Sequence, residues 1–187
     1  LARGAGHVEV AQIWTPDWLL SVRRGGGPIA TRAARALLRA VEVAEGVPLL
    51  IVGHSSGGVA ARVLTATEPY EGRRFAGARR VGAIVSLGSP HINAMEAVGN
   101  RWKGSGTATF AGLHVPGAFW APRVGYLSVA SRWLAARSEG ERDGREQAAR
   151  RFYERTLPPP HAPTIEGDGL IPVEAALIPS MVKVASD

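Results

Sequence analysis

Residues 48 to 66 constrain this chain more than any other stretch. The run Pro48-Leu49-Leu50-Ile51-Val52 is apolar without alternation, as a parallel strand covered on both faces is, and it leads straight into Gly53-His54-Ser55-Ser56-Gly57-Gly58. Val59-Ala60-Ala61-Arg62-Val63-Leu64-Thr65-Ala66 follows with helical character, so the glycine cluster is predicted to sit at a strand-to-helix turn. A turn this tight strains the residue at its apex, lifts that side chain clear and requires small residues two before and two after it. Gly53 and Gly57 meet that demand around Ser55, whereas counting from Ser56 puts His54 two before, so the register selects Ser55. A serine hydroxyl lifted in this way, beside a base, can act as a nucleophile. The backbone N–H of Ser56, at the positive end of the following helix, is then predicted to point to where an oxyanion forms.

The rest of the chain alternates strands and helices. His7 to Ile13 alternates apolar and polar residues up to Trp14-Thr15-Pro16, which reads as a strand and then a loop. Gly25-Gly26-Gly27 is a breaker, Pro28 suits a first helical turn, and apolar residues recur at helical spacing from Ile29 to Ala44 before Gly46. After the elbow, polar residues 67–80 lead to a second buried strand, Val81 to Leu87, ending at Gly88-Ser89-Pro90-His91. A further strand is predicted at Val124 to Ala130 and a charged helix at Glu141 to Glu154. The expectation is an α/β fold with a mostly parallel sheet and flanking helices. Residues 92–121 and 132–162, rich in Gly, Pro, Trp and charge, read as lid-like insertions within one domain, 1–187.

Composition narrows the chemistry. The 187 residues, 45% hydrophobic and 20% charged, suit a single globule with a sizeable core. A net charge of +6 raises the question of nucleic acid, but the arginines come as scattered pairs such as Arg23-Arg24 and Arg150-Arg151, without the aromatic interleaving of a binding groove. No nucleic-acid partner is expected. There is no cysteine, which excludes disulfides, zinc-thiolate sites and a cysteine nucleophile. The histidines and carboxylates do not cluster, so neither a metal nor another cofactor is expected. No apolar stretch approaches the ~20 residues of a membrane span, and the compartment stays open.

Two motifs together, Ile51 to Arg62 and Ile84-Val85-Ser86-Leu87-Gly88-Ser89-Pro90-His91, resemble those of α/β-hydrolase serine esterases and lipases. Among these the chain is most similar to the glycosylphosphatidylinositol-inositol-deacylase-like branch and related plant and cyanobacterial hydrolases. Val115-Pro116-Gly117-Ala118-Phe119, Tyr126 to Ala130 and Gly167-Asp168-Gly169-Leu170-Ile171-Pro172-Val173 extend the likeness to the C-terminus. The resemblance implies cleavage of carboxylic, lipid-like esters through an acyl-Ser55 intermediate. A non-catalytic binding protein and an acyltransferase on the same scaffold are the alternatives. Asp168, between two glycines before an apolar run, matches the family's acid, with Glu166 and Glu174 as fallbacks. His54 fills the variable slot of the elbow, and His91, at the end of the next strand, is expected to line the site with Trp14. Aromatic loops around Trp14, Trp18, Trp102, Phe119 and Trp120 suit an acyl pocket or a peripheral membrane contact. No histidine follows Asp168, while Ser180 to Ala185 reads as the last strand of such a fold. The resemblance therefore implies an incomplete α/β-hydrolase fold. Its base would lie within about ten residues beyond Asp187 and its second oxyanion donor before Leu1, and the fragment itself would be inactive.

Overall fold

A computed structural model describes residues 6–24, 26–93, 106–140 and 143–178. Its elements are α1 (Thr15–Arg24), α2 (Gly27–Val43), β1 (Leu49–His54), α3 (Ser56–Leu64), β2 (Val81–Leu87), α4 (Gly106–His114), β3 (Gly125–Val129), β4 (Leu134–Arg137), α5 (Gly144–Thr156), β5 (Thr164–Gly167) and α6 (Val173–Ala176). Strands β1, β2 and β3 form a parallel sheet in that order, so their carboxyl ends, with Ser55, Gly88 and Ala130 just beyond them, share one edge. The fold is thus α/β, a three-stranded parallel sheet with flanking helices.

Register divides the sheet into two unlike faces. Ile51, Ile84 and Tyr126 lie side by side and pack with Ala61 of α3, Leu37 of α2 and Trp120. Behind that layer Ala30, Val59, Val63, Tyr70, Ala108 and Ala111 join α2, α3 and α4 into a second buried cluster. On the other face the row Val52, Val85, Leu127 and its neighbours stay open, with Leu50 62%, Val52 59% and Leu127 55% exposed. The apolar run Pro48 to Val52 therefore has one covered face and not two among the described residues.

Three other expectations change. Residues 7–14 form no strand, because Glu9 is drawn to Arg39 on α2 (2.6 Å from its Nε) and Val8 and Val10 stay exposed. The loop read after Trp14 is instead helix α1, whose first turn closes on Asp17: its carboxylate accepts from the Trp14 N–H at 2.9 Å. The 132–162 stretch is more ordered than an insertion of loops. Strands β4 and β5 pair antiparallel, and α5 packs on them through Ala136, Ala149, Tyr153 and Ile165. Trp102 and Ser180 to Ala185 lie outside the described residues.

Candidate active site

The apex of the β1–α3 turn is Ser55, at φ 52° and ψ −132°. That backbone conformation is disfavoured for an L-residue and costs on the order of 1–3 kcal/mol, so it persists only where the surroundings impose it. Those surroundings are visible. The Ser55 N–H donates to Leu87 O at the end of β2 (2.9 Å), and its carbonyl accepts from the Gly58 N–H (3.1 Å) as α3 begins.

Glycine is required at two places here for steric reasons. A Cβ on Gly53 would overlap the backbone of Gly57 and Gly58, because the strand and the helix leave the turn almost in contact. A Cβ on Gly58 would come 2.7 Å from Ser86 Cβ and overlap Ser89, since the first turn of α3 lies directly on β2. Gly57, expected to be small because of crowding, has open space around a Cβ. The close approach has moved one residue along the helix, to Gly58. The N–H of Ser56 opens α3 with no acceptor among the described residues, the arrangement an oxyanion donor needs.

Asp168 follows β5 and is held in a tight turn. Its Oδ1 accepts from Leu170 N (2.8 Å) and Ile171 N (2.7 Å), and its own N–H donates to Ile171 O (3.2 Å). Its Oδ2 lies against Gly88, 3.1 Å from where a Cβ there would stand. Gly88 has φ +52° and follows Leu87, the residue whose carbonyl holds Ser55, so Ser55 and the Asp168 carboxylate each adjoin the end of β2. Of the fallback acids, Glu166 is paired with Arg132 at 2.9 Å and Glu174 is exposed on α6.

His91 is brought near this edge but not into the open. It is 3% exposed, and its Nδ1 lies 3.2 Å from Arg62 Nη1 and its Nε2 3.0 Å from Ser86 Oγ. A guanidinium only donates, so Nδ1 accepts and Nε2 carries the proton and donates to Ser86. Ser86 Oγ continues to Ser128 Oγ at 3.1 Å, in the sheet row that includes Gly53, directly before the elbow. Burial, and next the Arg62 charge, push the imidazole down to about 3. His91 is thus a neutral structural link with both nitrogens engaged, and the expectation that it lines the site gives way to this buried role.

Arg62 is the cation in that network. Its Nη2 donates to Val115 O (2.7 Å) and Ala111 O (3.4 Å), the carbonyls that end α4, and its Nε has no partner. Burial lowers its pKa to about 10, so it remains charged at neutral pH, held by the negative end of a helix and by no carboxylate among the described residues. The sequence signal for it is a lone charge inside the apolar run Val59 to Leu64.

The remaining histidines stand elsewhere. His54 is exposed, in register with Leu87 and Val129. His7 and His114 approach Glu9 and Glu68, and His161 Nε2 lies 3.1 Å from Leu157 O. None of the five is hydrogen-bonded to Ser55 or Asp168. Trp14 opens α1 and is exposed, with no hydrogen bond to the elbow. Trp133, which no local motif marks, lies beside the acid turn, 3.6 Å from a Cβ position on Gly169. A cavity of about 410 Å³ lies between α1, α2 and residues 70–75, lined by Arg32, Arg35, Arg73, Asp17 and Glu71, and includes no residue of the elbow.

Among the described residues no three metal-type side chains cluster, and no helix is long and apolar enough to cross a membrane. No family model, curated protein or solved structure matches the chain.

Proposed function

We propose that this chain carries the nucleophile and the acid of a serine hydrolase of the α/β-hydrolase type, cleaving carboxylic esters of lipid-like character. The observation that carries the reading is the backbone of Ser55, held at φ 52°, ψ −132° at the carboxyl end of a parallel strand and the start of a helix. Chain order adds support: the strand of the elbow comes first, two parallel strands follow beside it, and Asp168 comes after them near the same edge.

In this reading Ser55 Oγ attacks the ester carbonyl carbon while a histidine oriented by Asp168 takes its proton. The carbonyl oxygen becomes an oxyanion beside the Ser56 N–H. The bond to the alcohol then breaks, and the histidine returns the proton to the departing alkoxide. Water, deprotonated by the same histidine, releases the acid and restores Ser55; an alcohol in its place makes the reaction an acyl transfer. Exposed Trp14, Phe119 and Trp133 suit an apolar substrate or a lipid surface.

One observation favours a second reading, a binding module without turnover. None of the five histidines is hydrogen-bonded to Ser55 or to Asp168. Turnover decides between them. The natural protein carrying this chain is expected to hydrolyse p-nitrophenyl butyrate and to lose at least about 10³-fold in kcat on Ser55→Ala. Equal rates in both would sink the hydrolase reading, and ester formation with an added alcohol would identify a transferase.

A further inference from the structure

The turn that carries Asp168 is gripped by a side chain outside the elbow, on α5. Tyr153 is fully buried in the core shared by α5, β4 and β5. Its hydroxyl accepts from the Gly169 N–H at 2.8 Å and donates to Leu134 O at 3.3 Å, bridging the acid turn to β4. Its ring closes on the other side of the same turn, where a Cβ on Gly167 would come 2.7 Å from both Cζ and the hydroxyl oxygen. One side chain therefore touches the residue before Asp168 and the residue after it. Burial pushes the Tyr153 phenol up, which keeps it neutral and able to donate to Leu134.

The consequence is geometric. With Oδ1 of Asp168 occupied by two amides of its own turn, the carboxylate cannot rotate without losing both bonds, and Oδ2 is left against Gly88. The direction of Oδ2 is then set by where the turn sits, and Tyr153 sets that. The clamp is anchored in turn: Arg150, also on α5, donates to Ala136, Ala162 and Pro163 carbonyls, which fixes the helix to the strands that carry the acid.

We propose that Tyr153 is a positioning residue for Asp168, holding its free oxygen where a catalytic imidazole would be oriented. This rests on the hydrolase reading above. A displacement of about 1 Å at such a group costs on the order of 10²-fold in rate, so loss of the hydroxyl alone is enough to register.

The test uses the natural protein, Tyr153→Phe, Asp168→Asn and the double variant. Amide exchange at Gly169, Leu170 and Ile171 is expected to quicken about tenfold or more in Tyr153→Phe, while amides of β1 to β3 hold their rates. Ester hydrolysis is expected to fall about 10- to 100-fold in kcat with KM little changed. In the Asp168→Asn background the tyrosine substitution should then cost nothing further. Gly167→Ala would overlap the Ile171 carbonyl, which holds the Asp168 N–H, as well as the ring, so it disturbs the acid turn directly and serves as the positive control for faster exchange there; Tyr153→Met, which also lacks the hydroxyl, serves if the phenylalanine variant does not fold. Unchanged exchange at the turn overturns the proposal. So does an equal loss in the wild-type and Asp168→Asn backgrounds, because the effect would then not pass through Asp168. A wild-type protein without Ser55-dependent hydrolysis overturns the hydrolase reading itself, an outcome distinct from both.

Discussion

At the scale of single residues, Ser55 is where local preference and imposed geometry conflict most. A glycine adopts φ 52° freely, so Ser55→Gly should stabilise the protein by about 1 kcal/mol, read as a higher urea midpoint, while removing the nucleophile. Destabilisation by that change would mean that the hydroxyl is a structural bond and not a presented group. The neighbouring glycines separate cleanly: Gly53→Ala should lower soluble yield and melting temperature sharply, and Gly57→Ala should be tolerated within about 1 kcal/mol. His91 gives a pH dependence with a definite sign. Its folded pKa is depressed to about 3 from an unfolded 6.5, so between those values the unfolded chain binds a proton that the folded one refuses. Stability should fall as pH drops below 6.5, by up to about 1.4 kcal/mol per unit from this group. In His91→Gln, which retains polar contacts without titrating, urea midpoints at pH 7 and pH 5 should lie closer together than in the wild type. Ser55 and Gly53 were legible because the elbow is a local pattern. The reversal at Gly57 and Gly58 was not, since only the docking of α3 on β2 decides which glycine is crowded.

Among the elements, periodicity and flanking breakers located α2, β1, α3, β2 and β3 to within a few residues. The failures have physical causes. Residues 7–13 alternate like a strand, but alternation says nothing about whether a neighbour supplies the hydrogen bonds, and Glu9 pairs with α2 instead. Helix α1 was signalled by Pro16 and Asp17 in its first turn and was masked by the same proline read as a breaker. The predicted helix from Glu141 begins instead at Gly144, where the Asp143 carboxylate accepts from Glu146 N at 2.8 Å. This cap carries a prediction: Asp143→Ala should cost about 1 kcal/mol in a denaturant melt followed at Trp133, and no loss would mean that the Arg137–Glu146 pair at 2.8 Å holds the helix start unaided. Pairing of β4 with β5 across 26 intervening residues lay beyond any local signal.

For the whole molecule, the placing of Ser55 and Gly88 at one end of the sheet follows from parallel topology, which puts every strand's carboxyl end on the same edge, whereas Asp168 follows β5 of the separate antiparallel pair and reaches that end by packing against Gly88. Asp168 was singled out from its glycine-flanked turn, whereas the side chains that hold it and the Arg62–His91–Ser86 network come from distant elements and were unreadable in advance. The open sheet face belongs to this scale too. Leu50, Val52 and Leu127 are as apolar as core residues, yet among the described residues helices cover only the opposite face, so hydrophobicity marked a strand without marking what lies over it. The central claim is that Ser55 is an activated nucleophile whose base is oriented by Asp168. Incubation of the natural protein with a fluorophosphonate probe, followed by peptide mass spectrometry, measures this directly. The label is predicted on Ser55, absent in Ser55→Ala and markedly slower in Asp168→Asn; a folded protein that leaves Ser55 unlabelled, or an Asp168→Asn variant labelled as fast as the wild type, would contradict it.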